Sequence, residues 1–473
     1  MTKRAGITLF VLPALLAGQA AVAQWEPTAG IRQPLSVQQT AFEYDYYIYA
    51  TDDDEAPAAS PSDEPGVAAA NDDAAAAPPY VVYDPSDSYL HRGYQGQAVP
   101  YYRSDGPWRI PQPSFLADRG VEIGGWLAQG LTFNSRNPAD RFNGPVTFND
   151  RANEYQLNQL WLYAEREADT GGYGFDLGGR VDFVYGTDAR FTQADGLETR
   201  WNQKRRFYQA ALPQLYMDVA LNRMTFRVGH FFTILGYERV EATRNFFYSH
   251  AYAHQYAEPF THTGMLAMWD LSDQWSVAAG FHRGADQFED LDGLDALNFL
   301  GGVSWKSRNE RVGVDFGLNA DEFGPMTNRL QYSLVTTLGV TERLSWILQH
   351  DYVQETDKRI DVGEEGRFAE AYGLNQYFLY DINPCWAAGL RVEWFRDHNG
   401  AFVAGIDPGN ETFDGGFKGN FYAVSAGLNW KPTANVTVRP ELRWDWFRGE
   451  GNPFNAGNSK DQFLFATDAI ITF

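Results

Sequence analysis

The stretch from Val436 to Phe473 constrains the fold more than any other, because it alternates strictly with a period of two. Val436, Val438, Pro440, Leu442, Trp444 and Trp446 fall on one side of an extended segment, and Thr437, Arg439, Glu441, Arg443 and Asp445 on the other. A helix, with its period of 3.6, would scatter both sets around its axis. After the turn-rich run Gly449 to Asp461, the residues Phe463, Phe465, Thr467, Ala469, Ile471 and Phe473 repeat the pattern. Each strand therefore has one face suited to an apolar medium and one suited to ions or water.

Composition separates the ways of satisfying both faces. Aromatic residues make up 15% of the 473 residues, yet mean hydropathy is −0.42. Short alternating strands produce that combination, and apolar helical spans do not. The net charge of −23 argues against nucleic acid, whose phosphates need clustered Lys and Arg. Cys385 is the single cysteine, which excludes an internal disulfide and a cysteine metal cage. Residues 1–23 read as a signal peptide: Lys3 and Arg4, the apolar run Ile7 to Ala17, then Ala21-Val22-Ala23. Residues 24–112 form an acidic, Ala/Pro-rich segment, with no Lys or Arg between Gln33 and His91. Such a segment is expected to be disordered, as a spacer or as a tether for a basic envelope component.

Residues 113–473 are expected to form an all-β, transmembrane, antiparallel up-and-down barrel. Sixteen segments carry strand patterning, among them Tyr173 to Tyr185, Met224 to Leu235, Gly264 to Leu271, Arg343 to Val353 and Phe463 to Phe473. Long and short connections alternate between them, as in outer-membrane barrels whose tight turns and long loops lie at opposite ends. A terminal amphipathic strand ending in Phe473 is characteristic of such barrels and is the expected signal to the barrel assembly machinery. Apolar faces then meet outer-membrane lipid, with Tyr173, Tyr185, Trp430 and Trp446 in aromatic girdles, and ionic faces line the lumen. That assignment places Asp176, Asp182, Asp218, Asp315, Asp351, Glu393, Glu441, Asp445 and Asp468 in the pore against Arg180, Arg227, Arg311, Arg391, Arg439 and Arg443. Pro213 and Pro440, which lack the ladder donor, predict bulges or an earlier strand limit.

Four motifs carry a resemblance: Tyr185-Gly186-Thr187-Asp188-Ala189, the run Gly229 to Glu238 (GHFFTILGYE), Phe246-Phe247-Tyr248-Ser249-His250, and Glu258 to Gly264 (EPFTHTG). In these the chain resembles the beta-barrel porins of the OmpL-like type over Val121 to Phe473. The resemblance implies an outer-membrane channel.

The connection Gly236 to Thr263 is too apolar for a loop in water. Its Phe246, Phe247, Tyr248, His250 and His254 are candidates for constricting or plugging the barrel, or for packing against a neighbouring subunit such as another member of a homotrimer. His250 and His254 have the His-x-x-x-His spacing, which makes a metal site only on a helix and with a further carboxylate or His; no metal and no cofactor are expected. Ser249 and His250 are adjacent, so their side chains diverge in a strand, and no G-x-S-x-G elbow occurs; no catalytic residue is assigned. The expected function is passive diffusion of small hydrophilic solutes or ions, and the alternative is an envelope anchor acting through the acidic arm.

Overall fold

The computed structural model describes residues 108–203, 206–289, 297–322, 327–357, 368–404 and 416–473. The expected signal peptide and nearly all of the acidic segment lie outside them. The described chain forms sixteen strands: β1 (Glu122–Asn134), β2 (Glu154–Arg166), β3 (Phe175–Gly186), β4 (Gln209–Leu221), β5 (Met224–Phe232), β6 (Thr261–Asp270), β7 (Trp275–Ala285), β8 (Asn298–Lys306), β9 (Val312–Glu322), β10 (Thr327–Gly339), β11 (Leu344–Asp357), β12 (Phe368–Asn383), β13 (Trp386–Asp397), β14 (Gly419–Thr433), β15 (Val436–Gly449) and β16 (Asp461–Thr472). Each pairs antiparallel with its neighbours in sequence, and β16 returns to β1 with Trp126 opposite Thr472. The sheet is a closed barrel without edges.

The last residue seals it. Gly125 and Phe473 exchange both backbone hydrogen bonds at 2.9 Å. The Phe473 ring lies where a Cβ on Gly125 would stand, so glycine is needed there for the close approach. Trp108 packs on Phe473 with ring centroids 6.2 Å apart, and its backbone N–H donates to Asn435 Oδ1 at 2.8 Å.

Outward residues alternate as the pattern predicts: Leu442, Trp444, Phe463 and Phe465 are exposed. Aromatic pairs from adjacent strands cap the apolar band at the turn end (Trp275 and Trp305, Trp386 and Trp430) and at the loop end (Phe133 and Phe465, Tyr422 and Trp446).

The inner face departs from expectation. Trp126, Trp161, Val184, Leu266, Leu300, Phe395, Phe421, Phe447 and Ile470 are buried within the barrel beside the ionic residues. They belong to three apolar clusters, a fourth gathers Val335, Ile347, Tyr377 and Leu379, and each cluster includes residues from the connection between β5 and β6. The interior is thus a packed core built around that connection.

All sixteen expected strands are present, with shifted ends. Thr233 to Leu235, assigned to β5 by pattern, leave the sheet and turn inward, while β6 begins earlier, at Thr261. β11 runs on to Asp357, because polar residues extend pairing past the apolar band. Loop lengths do not alternate strictly. β9 ends at Glu322 and β10 starts at Thr327, a shorter link than the turn between β2 and β3. Pro213 sits at the expected bulge, where the register with β3 shifts between Asp182 and Val184. Pro440 makes none: its register with β16 is continuous, and its missing donor falls on the β14 side, where pairing passes from Gly427–Glu441 to Trp430–Val438.

Candidate functional site

A backbone segment taken inside a barrel faces a shortage of partners, because every inner-wall amide is already used by the strand ladder. Only wall side chains can satisfy it. Residues 233–260 solve this with the ionic residues of the last strands. After Phe232 the chain enters the lumen, passes a 3-10 turn at Ala242–Arg244 and a one-turn helix at Tyr252–Tyr256, and returns as β6. Arg439 Nη1 donates to the carbonyls of Ala242 and Asn245 at 2.9 and 2.6 Å. Arg391 Nη1 donates to Ser249 O at 2.6 Å and Arg443 Nη1 to His250 O at 2.7 Å. The carboxylates take the amides: Ser249 N donates to Glu441 at 2.9 Å and Tyr252 N to Glu393 at 3.0 Å.

The side chains of the loop complete the fit. Phe246, Phe247, Tyr248 and Tyr252 are buried. Tyr248 OH donates to Asn158 on β2 at 2.8 Å, and Tyr252 OH to Asp445 on β15 at 2.8 Å. Phe246 occupies the space of a Cβ on Gly389, so that inner-wall position must be glycine for the ring to lie flat on β13. On the other walls Gln159 and Gln349 grip the loop backbone at Val240 and Tyr237.

At the centre stands a charge cluster. Arg391 pairs with Glu238 of the loop at 2.8 Å and with Glu393 at 2.7 Å. Arg443 pairs with Asp445 at 2.9 Å and Glu393 at 3.4 Å. The Ser249 hydroxyl bonds Glu441 and accepts from Arg391 at 2.7 Å, so it is not aimed at His250. Both arginines are at most 1% exposed. Breaking one partner out of such a buried cluster costs about 3–5 kcal/mol.

His250 Nδ1 stands 3.2 Å from Glu238, and His254 Nδ1 stands 3.3 Å from Glu258. Burial pushes both imidazoles down to about 4. Burial, reinforced by the nearby Glu238 charge, pushes the Glu258 carboxyl up to about 8. Against its own burial, Glu238 is held well below the usual carboxylate range by Arg391.

The other expected pore residues form a separate group. Arg180 pairs with Glu165 and Asp182 at 2.8 and 2.9 Å, Arg227 with Asp218 at 2.8 Å, and Asp176 with Arg166 at 3.0 Å. Arg439 pairs with Asp468 at 2.5 Å. Arg311 is exposed in the turn before β9 and does not face the lumen; its place at the strand end freed it from the alternation. Sequence reasoning missed Glu238, Gln159, Gln349 and Tyr377, whose OH donates to Glu238 at 3.1 Å. A signal was available in the glycines of the ionic faces, which mark where something else must approach the wall.

Residues 120–473 match the family described as Putative beta-barrel porin-2, OmpL-like. The chain belongs to that family. Among solved structures, this OmpL-like porin is similar to OprB of Pseudomonas putida, with 11% identity, a TM-score of 0.51, and 76% of this chain and 96% of that chain covered. It is also similar to the anion-selective porin from Comamonas acidovorans (10% identity, TM-score 0.49, 75% and 99% covered) and to the outer membrane channel DcaP of Acinetobacter baumannii (10%, 0.48, 75% and 97%). At this identity the OprB likeness speaks for the fold alone. No curated protein sequence matches the porin.

Proposed function

We propose that the protein is an outer-membrane channel for ions and small hydrophilic solutes whose permeation path is set by residues 233–260. The observation that carries this reading is the loop itself, which crosses the lumen and is tied to β2, β11, β13 and β15 by named hydrogen bonds. A wide water column beside Arg391 and Arg443 would leave them wet, and they are dry. With the loop docked, passage is narrow; with it displaced, the sixteen-stranded wall encloses a broad lumen.

The burial of those charges also supports a second reading, in which the loop stays a permanent plug and the barrel is an envelope anchor for its acidic arm. Single-channel recording in planar bilayers separates the two. Small stepwise openings of the intact protein, enlarged when residues 240–256 are replaced by a short Gly/Ser link, agree with a loop-controlled channel. Silent bilayers with both proteins stably inserted would overturn the channel and favour the anchor.

A further inference from the structure

Of the two things that the His250 and His254 spacing lacked, the structure supplies the further carboxylate, and it brings the two rings together without a helix that carries both. The one-turn helix Tyr252–Tyr256 carries His254 and brings its ring over that of His250, with centroids 4.7 Å apart. The third ligand is Glu238, from the opposite arm of the same loop. One donor atom from each of Glu238, His250 and His254 lies within 4.8 Å of the others, and all three residues are buried. We propose that these residues bind a divalent transition-metal cation of the zinc class.

The surroundings are those of a ligand set. The Nδ1 atom of His254 faces the Glu258 carboxyl at 3.3 Å, while its Nε2 is buried with no hydrogen-bond partner. A ligating histidine characteristically turns one ring nitrogen to a carboxylate and leaves the other for the metal. Glu258 is itself fixed by Gln349 Nε2 at 2.6 Å. Glu238 is oriented by Arg391 and Tyr377 on one oxygen and by the Ala251 amide, 2.8 Å away, on the other. Phe148 covers His250 with ring centroids 4.0 Å apart, and Phe260 stands edge-on to His254 at 5.1 Å, so the site has an apolar lid.

Charge gives an independent reason for a dication. Glu238, Glu393, Glu441 and Asp445 surround Arg391 and Arg443. Four formal negative charges against two positive leave two in excess, in a region from which water is excluded. A doubly charged cation balances that excess. Two imidazole nitrogens and one carboxylate oxygen suit zinc and its neighbours rather than magnesium or calcium, which prefer oxygen alone. Tetrahedral donors with bonds near 2 Å sit about 3.3 Å apart, so binding draws the three side chains together by small rotations. Because Glu238 precedes the aromatic run and the histidines follow it, the bound cation fastens the two arms of the loop to each other.

The test uses the full-length barrel in detergent, stripped with chelator and titrated with Co2+ alone. The expected result is one Co2+ per chain with the strong visible absorption of a tetrahedral ion, displaced by Zn2+. His254→Gln should weaken that binding at least tenfold, while His398→Gln, at an exposed loop histidine, should leave it unchanged. Equal binding by His254→Gln and the parent protein would overturn the site, as would an octahedral spectrum. Heat-modifiable mobility reports whether each variant folds. Should His254→Gln fail that check, X-ray absorption at the zinc edge of the parent protein decides: imidazole scattering from two ligands supports the site, and its absence refutes it.

Discussion

At the scale of single residues, Arg391 joins the loop at Glu238 and Ser249 to the wall at Glu393. Arg391→Ala strands these carboxylates in a dry site and should weaken loop docking by about 3–5 kcal/mol. The expected readout is larger unitary conductance and faster uptake of a bulky hydrophilic antibiotic, with Arg391→Lys intermediate because it loses the fork but keeps the charge. Unchanged conductance in Arg391→Ala would mean that docking does not depend on this residue.

Acidity acts on the same loop from two sides. Undocked, the two histidines would titrate near their ordinary 6.5 and Glu258 near 4.5; docked, they move to about 4 and about 8. Between pH 4.5 and 6.5 the undocked loop holds two extra imidazole protons and the docked loop one extra carboxyl proton. Docking therefore strengthens with pH by about 1.4 kcal/mol per unit. Between 6.5 and 8 the Glu258 difference is the one left among these three loop groups, and its contribution weakens docking at the same slope. Glu258 faces Gln349, Asp351, Glu238 and Arg239, and His250 faces Glu238, His254 and Arg391; Glu238, ionised in both states, adds nothing to either limb. In the metal-free protein conductance should be lowest near pH 6.5, and Glu258→Gln should abolish the alkaline rise while keeping the acid one. A flat profile in the parent protein would exclude these groups as controllers of docking.

At the scale of elements, β16 matters for its end. Deleting Phe473 removes both backbone bonds to Gly125 and the ring that covers it. Assembly should fall far more than after deletion of the exposed loop residue Trp201, measured as the heat-modifiable fraction in membranes. Equal folded fractions would show that the seam tolerates an open end.

The strands were legible in the sequence because an apolar outer wall imposes a period of two on them, and Leu442, Trp444 and Phe463 follow it without exception. What lines the inside was only half legible. The ladder Arg439, Glu441, Arg443, Asp445 reads as a wet pore wall, since nothing local distinguishes a charge facing water from one facing a loop carbonyl. The apolar members of inner faces, such as Leu464 and Ile470, carried the contrary message. The aromatic motif Phe246 to Tyr248 was recognisable as unfit for water, but the site of its burial depends on contacts with strands nearly two hundred residues later.

For the whole molecule, the arrangement of charge predicts its preference among ions. Most inner-face acids are paired with arginine, and the central cluster retains excess carboxylate. The channel should be weakly cation-selective at low ionic strength, fading as salt shortens the screening length. A reversal potential under a KCl gradient measures it directly, and clear anion selectivity would place control in the loops beyond the strands.

The loop that fills the lumen has a mechanical consequence. Antiparallel hairpins drawn out of a membrane one after another normally yield at similar loads, since each tears a similar seam. Here the β5–β6 hairpin is lashed across the barrel to β13 and β15, and pulling it must rupture the ties to Glu393 and Glu441 in the same instant as its own seams. The barrel is therefore braced across its diameter, like a wheel with one spoke. Force spectroscopy from the N-terminus should meet its highest peak in the middle of the chain, at β5 and β6, whereas from the C-terminus the high peak should come early, as β15 and β13 are torn from the loop.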